Sequence, residues 1–335
     1  MVSVMISAMR KHNHVLPVLA CMTWLFLATI APVALLAPIL LAGGFHVYVE
    51  TMTQLSFRAP SRRKPAIDDP LWTSNRIYVG QHHLQSYVLN GKEGSPVVWI
   101  CHGWTSGSER MLGRTEIFRK LGWHVVMFDL PSHGASSRLS KWTAEHSTTM
   151  LIQSANQLAQ QRPELFVGPV FFYGHSMGAF IGLRLSKRRD ECVFGHQFSG
   201  WMFESPMTGY SEIFSETCDI LHIPLVLRPV VLANTLRHVN ALIGPERRIT
   251  DLSDADVPRW GLPHEPTLLL QAHPDERLGL THFERLTQAL AENSANVALE
   301  SHLINGLTHK GANVHYERDE LVTEWSNKQV RYSSD

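Results

Sequence analysis

The feature that most constrains the fold is the stretch 171–179, which reads FFYGHSMGA. Its apolar, aromatic beginning predicts a buried strand, and the pattern that follows predicts a helix. Between them Ser176 lies two residues from Gly174 and two residues from Gly178. A sharp strand–turn–helix connection strains the backbone of its central residue and leaves no room for side chains at the flanking glycines. The sequence therefore predicts that Ser176 projects above a sheet as a candidate nucleophile.

Composition excludes several other classes of protein. The chain has 335 residues, 44% of them hydrophobic, which is enough for a large core. The 30 basic residues balance the 30 acidic ones, so no basic field favours nucleic acid, and nucleic-acid binding is excluded. The four cysteines are scattered, and the 19 histidines form no ligand spacing, so neither a disulfide framework nor a metal or cofactor is predicted.

The N-terminal segment is strongly apolar. No formally charged residue lies between Lys11 and Glu50, and residues 15–45 are almost wholly apolar after a polar segment 1–14. The run is longer than the ~20 residues that cross a bilayer and the about 7–15 of a cleavable signal. It predicts a retained transmembrane helix over residues 15–45, that is, a single-pass membrane anchor for the protein.

Three alternatives to this anchor stay open. The segment could be a long signal cut near residues 42–44, its prolines could confine the span, or a re-entrant helix pair could break near Pro32. Basic residues flank both ends of the segment, so the charge rule does not assign the side of the membrane on which the catalytic domain lies.

Residues 46–73 are predicted to be a linker because three prolines and four basic residues cluster between positions 56 and 70. The basic residues could lie against anionic lipid headgroups, or the segment could be a solvated tether.

The rest of the chain alternates predicted strands and helices. Strands spaced by helical segments are typical of crossover units, so the sheet should be mostly parallel after an opening hairpin. The predicted core covers residues 74–206 and 263–335, with an insertion at 207–262. The predicted strands are 76–79, 84–89, 96–101, 123–128, 171–174, 198–203, 266–272 and 297–304, and the clearest helices are 109–121 and 144–161.

Four signatures in one order resemble the α/β-hydrolase family. They are His-Gly-Trp at 102–104, DLPSHGAS at 129–136, GHSMG at 174–178, and an acid and a histidine further on. The resemblance covers about residues 74–330 and is greatest to the lysophospholipase, monoacylglycerol-lipase and serine-aminopeptidase branch. It implies an α/β fold with a mostly parallel central sheet flanked by helices and a helical cap at 207–262.

A serine hydroxyl needs a base to take its proton and an acid to orient that base. The family order is serine, acid, histidine. The resemblance therefore implies Asp275, after the strand 266–272, as the acid and His309, after the last strand, as the base. The family usually has glycine where this chain has Ala272, which is a mild departure.

Other residues compete for these two roles. Glu276 and then Glu204 are the alternative acids, because one neighbours Asp275 and the other ends the sixth strand. His315 competes for the base but is predicted at the start of the last helix, and His302 is predicted within a strand.

The resemblance also implies an oxyanion hole made by the backbone amides of Trp104 and Met177. Trp104 could in addition wall an acyl pocket, while His102 and His133 are predicted to support loops. In the family the cap sets substrate access, and the apolar patches of residues 220–232 suggest an acyl or lipid-like substrate.

The resulting hypothesis is a membrane-anchored serine hydrolase that cleaves carboxylic esters, such as monoacylglycerols or lysophospholipids, through an acyl-enzyme. Its partners would be that acyl ester and membrane lipid. A thioesterase or an aminopeptidase would use the same three residues, Ser176, Asp275 and His309. A non-catalytic binding module at the membrane is the alternative from another class.

Overall fold

The computed structural model describes residues 15–28, 33–60, 63–293, 297–311 and 313–332. The helices are α1 (Val15–Ala28), α2 (Val33–Ser56), α3 (Leu112–Leu121), α4 (Ala144–Gln161), α5 (Met177–Lys187), α6 (Ser211–Ile220), α7 (Arg228–Ile243), α8 (Thr281–Asn293) and α9 (Tyr316–Tyr332). The strands are β1 (Thr73–Val79), β2 (His82–Leu89), β3 (Val97–Cys101), β4 (His124–Phe128), β5 (Val170–His175), β6 (Phe198–Glu204), β7 (Thr267–His273) and β8 (Leu299–Asn305). Short 3-10 turns occur at Ser108–Met111, Pro163–Phe166, Arg189–Glu191, Gly195–Gln197, Leu225–Leu227, Pro245–Arg247 and Leu252–Ala255.

The strands form an eight-stranded sheet in the order β1-β2-β4-β3-β5-β6-β7-β8. The hairpin β1–β2 is antiparallel, and β2 also pairs antiparallel with β4. All other neighbours are parallel, and β5 lies between β3 and β6. The predicted hairpin and the predicted mostly parallel sheet are therefore confirmed.

The central strands are buried because helices cover both faces of a parallel sheet. All residues of β3, β4 and β5 are buried, which explains their predominantly apolar sequence. Helix α4 starts as its sequence predicts, since the Thr143 hydroxyl accepts a hydrogen bond from the His146 amide and caps the first turn. Because β3, β5, β7 and β8 run parallel, their carboxyl ends lie at one edge of the sheet, and the loops that follow them begin there.

The chain divides into two compact units. One comprises Met1–Ser56 and Thr217–His238, and the other comprises Phe57–Glu216 and Val239–Asp335. The first unit holds α1 and α2 together with part of the predicted cap insertion. Within it the Glu50 carboxylate of α2 accepts a hydrogen bond from Asn234 of α7 at 3.0 Å.

The predicted transmembrane helix over residues 15–45 is not supported. In the described part of the chain, no helix combines the length and the apolar character needed to cross a bilayer. Within this run the structure describes α1 and α2, and residues 29–32, where a break near Pro32 was considered, lie outside the described residues. Helix α1 has 14 residues, about 21 Å, whereas a hydrocarbon core is about 30 Å thick. Helix α2 is longer, but polar residues such as Glu50 occupy its second half.

Residues 46–56, predicted as the start of a linker, belong to α2. The segment that follows packs on the second unit, where Phe57, Ile67 and Trp72 are buried. The Arg63 guanidinium donates to the carbonyl oxygen of Ser136 in the loop after β4. At least one basic residue of the predicted linker thus binds the protein itself.

Candidate active site

Ser176 lies in a strained turn between the end of β5 and the start of α5. Its φ of 54° and ψ of −117° are costly for a residue with a Cβ atom. A Cβ placed on Gly174 would lie 2.6 Å from the Ala179 Cα, and one on Gly178 would lie 2.2 Å from the Cys101 carbonyl oxygen. The two glycines are therefore required by close backbone contacts, as the sequence predicts.

His309 and Asp275 are aligned with this serine. The Nε2 atom of His309 is 2.9 Å from the Ser176 Oγ, and its Nδ1 atom is 2.9 Å from the Asp275 Oδ2. A carboxylate can only accept, so Nδ1 carries the proton and Nε2 is left to accept from the serine hydroxyl. The structure thus brings together three of the predicted site residues in the order that a proton relay needs.

The Asp275 carboxylate is held by four donors. Its Oδ1 atom accepts from the backbone amides of Arg277 at 2.9 Å and Leu278 at 2.8 Å. Its Oδ2 atom accepts from His309 and from the side-chain amide of Gln271 at 2.8 Å. Burial opposes its ionisation, but the hydrogen bonds from His309 and the backbone amides outweigh burial and lower its pKa to about 2.

Neither alternative acid reaches the ring of His309. Glu276 accepts a hydrogen bond from the backbone amide of His309 at 3.2 Å, so it supports the loop. Glu204 is fully buried and binds the guanidinium of Arg114 and the hydroxyl of Tyr173. Burial would raise the pKa of Glu204, but Arg114 and Arg318 outweigh burial and lower it strongly. Glu204 is therefore the buried ion-pair partner of Arg114.

The competing histidines also lie elsewhere. The His302 ring is on β8, with Nε2 3.1 Å from a carboxylate oxygen of Glu300. His315 precedes the first residue of α9, and its Nδ1 atom contacts the Arg318 amide at 3.5 Å.

His175, the residue before the serine, was not singled out by the sequence analysis. Its Nε2 atom donates to the backbone carbonyl oxygen of His309 at 2.8 Å. Burial lowers the pKa of His175 to about 4, so the ring is neutral near pH 7. Its place inside the GHSMG motif is the sequence signal that could have pointed to this contact.

Gln271 is a second site residue that the sequence analysis did not single out. It is a polar residue within the otherwise apolar buried run of β7, four positions before Asp275. A polar side chain at a buried strand position needs a partner, and that requirement is the signal that could have identified it.

The two predicted oxyanion donors flank the serine. Met177 is the first residue of α5, so its backbone N–H has no acceptor within the helix. Trp104 follows Gly103, whose backbone is so near the serine that a Cβ there would lie 3.2 Å from the Ser176 Cβ. Both amides therefore belong to segments that border Ser176.

The loops around Trp104 are supported by aromatic rings. The rings of Trp104 and Trp142 meet edge to face at 4.6 Å, and His133 packs on Trp104 at 5.0 Å. His102 accepts from the Leu130 amide through Nε2 at 3.0 Å, and the Nδ1 atom of His133 donates to Pro131 at 2.9 Å. The hydrogen bond of His102 thus joins two loops, whereas that of His133 stays within its own loop, and burial lowers the pKa of His133 to about 3.

The sheet order, the strained serine turn and the aligned serine, histidine and aspartate define an α/β-hydrolase. Residues 92–227 match the family model described as serine aminopeptidase, S33. The match includes Ser176 and ends before Asp275 and His309. The chain thus has the α/β-hydrolase fold, and its residues 92–227 are similar to this serine aminopeptidase family, in agreement with the resemblance seen in the sequence.

Curated relatives match just over a third of the chain. Phospholipase YtpA of Bacillus subtilis is 27% identical over 124 residues, which cover 37% of this chain and 45% of that protein. The (E)-2-((N-methylformamido)methylene)succinate hydrolase of Acinetobacter baylyi is 30% identical over 120 residues, which cover 36% of this chain and 42% of that protein. The chain therefore spans less than half the length of these relatives.

Among solved structures, an esterase of Pyrococcus furiosus superposes with a TM-score of 0.57 at 16% identity. The superposition covers 82% of this chain and 97% of the esterase. It supports the α/β-hydrolase fold well beyond the segment that the family model matches.

Proposed function

We propose that this protein is a serine hydrolase that cleaves carboxylic esters, with lipid-like acyl esters such as monoacylglycerols or lysophospholipids as its substrates. The observation that carries the proposal is the continuous line of hydrogen bonds from Ser176 through His309 to Asp275. Such a line turns a weakly nucleophilic hydroxyl into an attacking group at neutral pH.

In the first half-reaction the Oγ atom of Ser176 attacks the ester carbonyl while His309 Nε2 takes its proton. Asp275 keeps the proton on Nδ1 and stabilises the imidazolium. The negative charge on the tetrahedral oxygen is accepted by the backbone amides of Trp104 and Met177. His309 then returns its proton to the leaving alcohol, and Ser176 becomes acylated.

In the second half-reaction His309 takes a proton from water, which attacks the acyl-enzyme. The tetrahedral oxygen again meets the two backbone amides, and the fatty acid leaves as Ser176 regains its proton. Removal of one oxyanion donor typically costs ~3 kcal/mol of transition-state stabilisation, so the placement of the loop that carries Trp104 matters for both halves.

Two observations favour a lipid-like substrate. One curated relative is a phospholipase, although the chain matches less than half of it. The insertion at 207–262 also exposes large apolar side chains, among them Leu225 and Val226. Exposed apolar groups of this kind favour contact with acyl chains or lipid.

Labelling with a fluorophosphonate probe tests the mechanism. We expect the native protein to be labelled, and we expect Ser176→Ala and His309→Ala to remain unlabelled. His302→Ala is the matched control, because it removes a histidine of β8 that lies outside the hydrogen-bond line. Equal labelling of the native protein and Ser176→Ala would overturn the proposal.

A substrate panel separates the ester hydrolase from a thioesterase and an aminopeptidase that would use the same residues. Monoacylglycerols, lysophospholipids and p-nitrophenyl esters should be turned over faster than acyl-CoAs or aminoacyl amides. Preferred turnover of the amides or thioesters would reassign the substrate class. A folded protein that turns over no member of the panel would favour a non-catalytic binding module.

We also propose that α1 and α2 attach the protein to a membrane surface. Residues 15–28 and 33–49 contain no formally charged residue, and many of their apolar side chains are exposed, for instance Leu25 at 68% and Leu41 at 74%. Helices with apolar side chains on every side normally lie against lipid or inside a protein core.

Flotation with phospholipid vesicles tests this attachment. The full chain should float with the vesicles, and Leu25→Glu/Leu41→Glu should remain largely at the bottom of the gradient. The matched control is Val167→Glu/Val193→Glu, which changes two exposed apolar residues of the second unit. Unchanged flotation of the first variant, or equal loss in the control, would contradict attachment through α1 and α2.

A further inference from the structure

The side chain of Gln271 is in direct contact with Asp275, the predicted acid. It is 1% exposed, and its Nε2 atom lies 2.8 Å from the Asp275 Oδ2. The same oxygen atom faces the Nδ1 atom of His309 at 2.9 Å. One carboxylate oxygen therefore accepts two hydrogen bonds, one from the imidazole and one from a buried side-chain amide.

The orientation of this amide is set by two acceptors, the Asp275 carboxylate at 2.8 Å and the Ala272 carbonyl oxygen at 3.3 Å from the same Nε2 atom. The Oε1 atom of Gln271 is buried and has no hydrogen-bond partner in the described part of the chain. Rotating the amide by half a turn would direct this oxygen at the carboxylate, where two acceptors would repel each other. The amide thus leaves its own oxygen unsatisfied to donate to Asp275, which is costly at a buried site.

We propose that Gln271 is a positioning residue that fixes the carboxylate plane of Asp275, so that its Oδ2 atom stays charged and directed at His309. This inference rests on the proposed function, because it assigns a role within the same Ser176, His309 and Asp275 relay.

The contacts explain why the backbone alone is insufficient. The amides of Arg277 and Leu278 bind only Oδ1, so Oδ2 takes its hydrogen bonds from the side chains of His309 and Gln271. Gln271 belongs to β7, a buried strand paired with β6 and β8, so its donor comes from a rigid element. The carboxylate is thus held between a loop and a strand, with Oδ2 aligned on the imidazole.

In addition to the neutral amide of Gln271, three titratable groups lie around the Asp275 carboxylate. His309 lies on Oδ2, the neighbouring Glu276 carboxylate binds the His309 amide, and the His282 ring of α8 is held by Thr208. The guanidinium of Arg277 binds Glu216 instead. A variant that changes the charge at position 271 therefore acts mainly on the Asp275–His309 pair.

Two substitutions separate positioning from packing. Gln271→Met keeps the size of the side chain and removes the donor. Gln271→Glu keeps the shape but places a second carboxyl group against Asp275, and two such groups share one proton until the pH rises far enough to remove it. Thr267→Val is the matched control, since it changes a buried polar residue of the same strand away from the acid.

The experiment measures kcat and KM for a p-nitrophenyl ester from about pH 5 to pH 9, per site labelled by a fluorophosphonate. We expect Gln271→Met to lower kcat about tenfold at every pH with KM unchanged, as loss of one hydrogen bond made to a charged group predicts. Gln271→Glu should keep activity at the acidic end and lose it towards alkaline pH, where the shared proton leaves. Thr267→Val should keep the native kcat per labelled site.

Native kcat per labelled site in Gln271→Met, or an equal loss in Thr267→Val, would overturn the role of Gln271. So would a pH profile of Gln271→Glu that is parallel to the native one. Failure of the proposed function gives a different result, because the native protein would then lack turnover and labelling, or Ser176→Ala would retain them.

Discussion

The imidazole of His175 donates a hydrogen bond from Nε2 to the backbone carbonyl oxygen of His309, at 2.8 Å. The residue that precedes the nucleophile along the chain thus holds the loop that carries the base. The contact joins β5 to the loop after β8, two segments that β6 and β7 separate in the sheet.

Replacement of His175 should therefore impair catalysis more than substrate binding. We expect His175→Ala to lower kcat about tenfold with little change in KM, because the loop loses a hydrogen bond that orients the base. His175→Gln retains a side-chain donor and should recover part of this loss. Steady-state kinetics per labelled serine measure both, and identical kcat values for the two variants would count against the hydrogen bond.

Buried neutral histidines should make the fold sensitive to acid. Burial lowers the pKa of His175 to about 4 and that of His133 to about 3, from an ordinary value of 6.5. The unfolded chain binds more protons than the folded one between these values, so their contribution to stability is complete above pH 6.5 and is lost as pH falls towards 4 and then 3.

Urea unfolding at several pH values checks this dependence. The free energy of unfolding should decrease from neutral pH to about pH 5, and His133→Gln should reduce the slope. A slope that is identical in the variant and the native protein would show that other groups cause the acid sensitivity.

Asp275 and Glu276 should differ sharply in their effect on turnover. Asp275→Asn should lower kcat by about 10³–10⁴, because the amide no longer fixes the imidazole tautomer. Glu276→Gln retains an oxygen that can accept from the His309 amide and should change kcat by less than about threefold. Similar losses in the two variants, measured by ester hydrolysis, would disagree with Asp275 as the acid.

The Arg114–Glu204 ion pair should be important for stability rather than for chemistry. Both side chains are almost fully buried, so Glu204→Gln leaves an uncompensated guanidinium and should cost about 3–5 kcal/mol of unfolding free energy. The exposed pair between Arg119 and Glu116 is the control, and Glu116→Gln should cost less than about 0.5 kcal/mol. Chemical denaturation compares them, and equal costs would refute the distinction.

Gly178, two residues after the nucleophile, has no room for a side chain. Gly178→Ala would place a Cβ 2.2 Å from the Cys101 carbonyl oxygen, so we expect a loss of at least about 1–3 kcal/mol and of probe labelling. Gly44→Ala, within α2, meets no atom within 4 Å and should be neutral or stabilising. Thermal unfolding and labelling of both variants measure the contrast, and native behaviour of Gly178→Ala would contradict the close contact.

The sequence could predict much of the second unit because its elements follow local rules. Residues 144–161 form a helix where the sequence predicts one, and the buried runs that become β3 to β7 are mostly apolar, with exceptions such as Gln271 in β7. The turn chemistry predicted Ser176, and the resemblance to the α/β-hydrolase family implied Asp275 and His309, the residues that the structure brings together with it. The transmembrane helix predicted from the length of the apolar N-terminal run is not supported, since none of the described helices is long and apolar enough to span a bilayer.

Beyond the acid and base that the family resemblance implies, the sequence by itself determined the serine turn and the alternation of strands and helices. These follow from neighbouring residues, whose spacing limits the local backbone. Only the tertiary structure decided that Glu204 pairs with Arg114, that Gln271 binds Asp275 and that His175 holds the His309 loop. Gln271 and Asp275 are only four residues apart, but they belong to a strand and the loop after it. The other two contacts join residues 90 and 134 positions apart. Contacts between separate elements depend on how the strands and loops pack, which no local pattern records.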